Sequence, residues 1–275
     1  MKFIKILPII FFAFIFSCDK IDIPLKKQAN TCGKDTIPIR KILVEDYTGH
    51  LCNNCPEAAE ILHEIKNDYC DHIIPLAIHV SSFANPINDS PFSNNYKTDA
   101  GNELDEFYQV SNEGLPNGLV NRKKYNNSYI IGKGSWETAV NKLYSIPADV
   151  HIAINSSYNP VNKEITATIS SKFLFNVNYA MNIGLYITED SIVSPQLSKH
   201  GVINDYVHRH MLRKSITGAF GESFVSSALI DDVIEKTFTF TINEDWNINH
   251  LGFVAFISNT ETKEIIQAEY KHLEH

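Results

Sequence analysis

Cys52-Asn53-Asn54-Cys55-Pro56 is the stretch of this chain best equipped for chemistry. Two thiols three positions apart can close a tight disulfide or cycle between dithiol and disulfide. At the start of a helix, free backbone N–H groups and the helix dipole favour the thiolate form. Zinc is the other use of such a pair, but it needs two further ligands. Cys32 and Cys70 do not form a second close pair and the neighbours of His50 add nothing, so no metal is expected. His208 and His210 would share one face of a strand, yet no third ligand accompanies them, and they are read as surface or hydrogen-bonded residues. No Ser–His–Asp order, Gly-rich phosphate loop or paired catalytic carboxylates stand out, and no cofactor is implied.

The elements around the cysteines have clear patterns. Ile42 to Tyr47 reads as a strand, ended by a turn at Thr48-Gly49. Pro56 to Asn67 reads as a helix with Ala58, Ile61, Leu62 and Ile65 on one stripe. Ile73 to Val80, nearly all apolar, suits a central strand. Residues 81–97, rich in Asn, Pro, Ser and Asp, form a long loop, and Glu103 to Val110 a helix. Leu115-Pro116 lies in a turn feeding a short strand, and Ser135 caps a helix over Trp136 to Tyr144. This order predicts an α/β domain with a mostly parallel sheet over 39–146, carrying an insertion near 81–113. After Ile146-Pro147-Ala148 the period changes. The segments 151–154, 164–172, 181–188, 236–242, 253–258 and 265–270 alternate as strands do and predict an antiparallel β-sandwich over 147–275.

With 275 residues and 44% apolar content, two ordinary cores are within reach. A formal charge of −8 without a basic face excludes a nucleic-acid partner. The N-terminus reads as targeting sequence: Lys2 and Lys5 precede an apolar stretch, Ile6 to Phe16, too short to span a membrane. Ile15-Phe16-Ser17-Cys18 resembles a bacterial lipobox. Cleavage after residue 17 and acylation of Cys18 would give a membrane partner through a lipid anchor, with residues 18–38 as a tether. The alternative is a plain signal peptide. In an oxidising compartment the remaining thiols favour disulfides. Four cysteines allow three pairings. Cys52–Cys55 with Cys32–Cys70 is favoured, because Cys70 follows the helix that Cys55 begins and Cys32 precedes the first strand, which places both at the opposite end of the domain.

The first half resembles thioredoxin. The CxxC follows a strand and opens a helix, Asp46 stands six residues before Cys52, and Pro116 precedes a short strand. The resemblance implies that Cys52 is an exposed nucleophile, Cys55 the resolving thiol and Asp46 the proton acceptor. It also implies a cis Pro116 beside which a protein thiol partner docks. Thr48 and Leu51 stand where thioredoxin has tryptophans, and Asn-Asn brings no charge to tune the pair.

Three stretches carry a wider resemblance: 44–56 around the CxxC, Leu115-Pro116 through Asn121-Arg122, and Asn204 to Arg213. On them the chain resembles a family of Bacteroidetes outer-membrane lipoproteins named for a twenty-eight-kilodalton outer membrane protein. That resemblance implies a thioredoxin-like domain followed by a β-sandwich, anchored at the outer membrane on its periplasmic or surface face, and supplies no reaction. Two functions follow as expectations. One is a cell-envelope binding or scaffold protein with a static disulfide; the other is a thiol–disulfide oxidoreductase acting on exported proteins.

Overall fold

The computed structural model describes residues 39–274; Cys18 and Cys32, with the expected signal and tether, lie outside them. The run ILVEDYT forms β1 (Ile42–Thr48), in which every residue is buried. α1 (Cys55–Tyr69) carries Pro56 in its first turn, where a missing N–H costs nothing, and buries Ala58, Leu62, Ile65 and Tyr69 along one stripe. β2 (Ile73–His79) is an inner strand, as its continuous apolar run requires. α2 (Asp99–Tyr108) begins ahead of the expected Glu103 because Thr98 caps it, its hydroxyl accepting from the Gly101 N–H at 3.0 Å. β3 (Asn117–Val120), β4 (Ile131–Gly132) and α3 (Trp136–Tyr144) follow.

The rest of the described chain is strand: β5 (Val150–Asn159), β6 (Glu164–Phe173), β7 (Met181–Glu189), β8 (Ile192–Ser198), β9 (Gly201–His208), β10 (Met211–Ser215), β11 (Glu222–Val225), β12 (Val233–Thr241), β13 (Leu251–Asn259) and β14 (Ile265–His272). The fold is mostly β, with few helices and several sheets. β1 runs parallel to β2 and antiparallel to β3, which pairs with β4. The same sheet continues through β10 to β7, β13 and β14, in the order β14-β13-β7-β10-β2-β1-β3-β4, with β11 also on β7. The change of pattern at 146–147 falls just after α3, but the sheet does not stop there. Met211 of β10 pairs in parallel with Ala77 of β2, whose N–H donates to the His210 carbonyl at 2.9 Å.

A second sheet, β12-β6-β5, packs its inner face on β7, β13 and β14 through a core that includes Ile152, Ile169, Phe173, Leu185, Phe253 and Ile257. A further core lies under α1 and α3, around Val44, Leu62, Trp136 and Val140. β8 and β9 form a hairpin that pairs only with itself. The sequence predicts no strand over 192–208, for a physical reason. The hairpin buries Ser194, Gln196 and His208 while exposing Val193, Val202 and Ile203, the inverse of the usual pattern.

Candidate functional site

The loop between β1 and α1 holds Cys52 and Cys55 as a disulfide with Cα atoms 5.4 Å apart. Its path is set by close backbone packing. The Leu51 N–H donates to the Phe83 carbonyl at 2.9 Å. A Cβ on Gly49 would lie 2.4 Å from that same oxygen, so only glycine lets segment 82–84 approach. His50 Nε2 is 3.0 Å from the Asn85 carbonyl. Segment 81–97, read from the sequence as a loop, is therefore a wall of the CxxC region.

The thioredoxin resemblance implies an exposed Cys52. The structure corrects this: Cys52 is 2% exposed and Cys55 1%. The cover is the β8–β9 hairpin. Gln196, itself 2% exposed, donates through Nε2 to the carbonyls of Gly49 at 3.1 Å, Cys52 at 3.0 Å and Leu197 at 3.0 Å. The Leu197 N–H donates to the His50 carbonyl at 2.8 Å. At the tip, Lys199 Nζ meets Glu57 Oε2 at 2.6 Å, and Lys133 reaches the same oxygen at 2.8 Å. Hydrogen bonds from Lys133 and then Lys199 hold the Glu57 carboxyl down at about 2. The contacts from Gln196, Leu197 and Lys199 to segment 49–57 span more than 140 residues of sequence, so nothing near the CxxC announces them.

Beneath the hairpin lies a cleft lined by Asp46, Cys55, His79, Gln196, Tyr206 and His208. At about 120 Å³ it has room for several waters. Asp46 Oδ1, both ring nitrogens of His79 and Nε2 of His208 have no hydrogen-bond partner among the described residues. Burial raises the Asp46 carboxyl well above its ordinary value, with Lys133 opposing. Burial lowers the His79 imidazole, and the charges of His208, His50 and Arg213 lower it further. His208 is pushed down to about 4, first by burial and then by His50. Burial, followed by the Asp46 charge, lifts the Tyr206 hydroxyl to about 12. The rings gather around Tyr96, His79 edge-on at 5.3 Å and His208 tilted at 5.6 Å between centroids.

Sequence reasoning missed His79, Gln196 and the role of Tyr96. His79 did leave a signal: it is a lone imidazole closing an otherwise apolar strand. His208 and His210 do not act as a pair. His208 is buried in the cleft, while His210 leaves the strand and its Nδ1 lies 3.4 Å from Asp190. No cluster of three or more His, Cys, Asp or Glu side chains with metal-ligand geometry occurs among the described residues. The Leu115–Pro116 peptide is cis, and Pro116 immediately precedes β3. Cys70 is itself a disulfide cysteine; the expected partner, Cys32, lies outside the described residues.

The family model described as outer membrane protein Omp28 matches residues 102–275. The stretches 115–122 and 204–213 fall inside that match, and the CxxC stretch precedes it. No curated protein matches the chain. Among solved structures, the chain is similar to HBP35 of Porphyromonas gingivalis, with a TM-score of 0.66 and 17% identity over 87% of this chain and 77% of that one. It is also similar to a structural-genomics protein of Agrobacterium tumefaciens, with a TM-score of 0.53 and 13% identity over 88% of this chain and 100% of that one. A domain of the outer membrane lipoprotein Omp28 of Porphyromonas gingivalis is 19% identical over 46% of this chain and 97% of that one, with a TM-score of 0.34. At these identities the first two likenesses describe fold alone.

Proposed function

This chain belongs to the Omp28 family of outer membrane proteins, and we propose that it serves the cell envelope as a binding or scaffold protein. In this reading a thioredoxin-like half, residues 39–146, is followed by a β-sandwich, residues 147–275, and Cys18 carries the lipid anchor. No helix of the described residues is long and apolar enough to cross a membrane, so the anchor would be the attachment. The order β2-β1-β3-β4, with α1 and α3 packed in the core beside β1, supports the thioredoxin-like reading.

The observation that carries the proposal is the burial of Cys52 at 2% exposure under a hairpin from the other half of the chain. A thiol that must attack a partner protein needs a face open to that partner. Here the face is occupied, and the disulfide acts as a rivet at the junction of the two halves. The runner-up is a thiol–disulfide oxidoreductase. It is favoured by Asp46 and Cys55 lining one cleft, with burial raising the Asp46 carboxyl above its ordinary value.

Equilibration of the purified chain in graded dithiothreitol or glutathione buffers decides between them. The scaffold reading expects a Cys52–Cys55 potential below about −300 mV, as for structural bridges. A value between roughly −270 and −120 mV, together with insulin-type reductase turnover, would favour the oxidoreductase instead.

A further inference from the structure

The hairpin over the disulfide is fastened unlike the rest of the fold. No residue of 192–208 belongs to the apolar cores formed by the described residues. Its buried side chains, Ser194, Gln196 and His208, are polar; of its larger apolar residues Val193, Val202 and Ile203 are 61%, 45% and 41% exposed, and Ile192, Leu197, Tyr206 and Val207 are only half-buried. What holds it down is directional: Gln196 on the Gly49 and Cys52 carbonyls, Leu197 on His50, Tyr96 on the Ser194 hydroxyl at 2.8 Å, and the Lys199–Glu57 pair. Hydrogen bonds of this kind are exchanged for bonds to water when a segment lifts, and an exposed ion pair adds little. A segment with few buried apolar contacts opens at the low-stability end of a protein.

Its base, by contrast, is fixed. Ser191 and His210, at the two ends of the hairpin, both adopt positive φ, 58° and 53°. Asp190 clasps them by accepting the His210 N–H at 2.9 Å. β7 and β10, on either side, are paired strands of the large sheet.

We propose that the β8–β9 hairpin is a strap that gates the Cys52–Cys55 disulfide, hinged at Ser191 and His210 and latched by Gln196 on the Gly49 and Cys52 carbonyls. Closed, it shields both sulfurs and roofs the cleft that holds Asp46 and His79. Open, it admits a thiol-bearing partner to the sulfurs. With dithiothreitol as that partner, one thiolate attacks a cysteine sulfur and breaks the S–S bond. The second thiolate then releases the protein from the mixed disulfide. The protein gains two electrons and two protons as two thiols, and dithiothreitol leaves as its cyclic disulfide. The inference adds conditional access to the reading of a disulfide covered at rest.

The test is the second-order rate of reduction of the full-length protein by dithiothreitol, quenched by alkylation and read by mass. Gln196→Ala and Gln196→Met, which cannot donate to the carbonyls, are expected to react about tenfold or more faster than wild type. Lys199→Ala, at an exposed position that spares the fold, is expected to accelerate by about twofold. Tm under oxidising conditions should stay near wild type in all of them. Unchanged rates, or rates that rise only as Tm falls, would overturn the strap. If Gln196→Ala does not fold, Lys199→Ala decides. A potential in the oxidoreductase range would instead count against the scaffold reading, and it leaves these relative rates untouched.

Discussion

Arg122 and Glu45 form an ion pair in which neither side chain is exposed, with Arg122 Nη2 2.7 Å from Glu45 Oε1. Arg122 Nε reaches both carboxylate oxygens at 3.1 Å, and Nη1 donates to the Ala219 carbonyl at 3.2 Å. Its guanidinium also receives company from the Tyr186 hydroxyl and lies 5.1 Å from the Phe256 ring centroid. The pair therefore ties the centre of β1 to strands more than sixty residues away.

Removing one member of such a pair strands the other charge in the interior. Arg122→Met is expected to lose about 3–5 kcal/mol of unfolding free energy. The double variant Glu45→Leu/Arg122→Met should recover much of that loss. Urea titration of the three proteins checks both statements, and a single-variant loss under about 1 kcal/mol would contradict the enclosure seen here.

His208 makes stability depend on acid. In the unfolded chain it titrates at its ordinary value of 6.5, while in the fold it resists protonation down to about 4. Between those values the unfolded state binds more protons, so stability is full above 6.5 and is lost as pH falls toward 4. The shift corresponds to a loss of up to about 3 kcal/mol, with His79 adding in the same direction. Denaturation midpoints of wild type and His208→Leu across this window provide the check: the variant should show the shallower slope whatever its absolute stability.

Asp46 works in the opposite sense. Its folded carboxyl binds a proton more tightly than an ordinary aspartate. Its contribution is thus present below the ordinary carboxylate value and is lost as pH rises through the raised one. Asp46→Asn, neutral at every pH, is expected to exceed wild type in stability at about pH 8 and to lose that advantage in acid. Paired urea curves at the two pH values measure this. A less stable variant at the higher pH would mean that the carboxylate is well solvated in the cleft.

How much of this could be read from the chain differs by residue. β1, α1, β2 and α3 stand where periodicity and Pro56 put them, because burial on one face leaves a local record. Glu45 and Asp46 in mid-strand also left a signal, two acids in a run that is otherwise apolar apart from Tyr47 and Thr48. That their partners are Arg122, on one side, and a histidine-lined cleft, on the other, is a product of distant pairing. The hairpin was invisible because it inverts the rule that apolar residues face inward, and Pro195 interrupts its first strand. Cys52 was expected to be open for the same reason: the residue that closes over it, Gln196, is 144 positions away.

The meeting of β2 with β10 also has a meaning for biogenesis. Until residue 211 has emerged and docked, the outer edge of β2 is an unpaired row of backbone N–H and C=O groups on a strand of mostly apolar side chains. Such an edge recruits other chains. Pairing so distant in sequence also forms late, because a long loop must close first. The exported chain thus passes through a stage in which its first half is complete in sequence but adhesive along one side. The brief parallel contact at Ala77 and Met211 closes part of that edge, and severing the chain near residue 146 would leave it open.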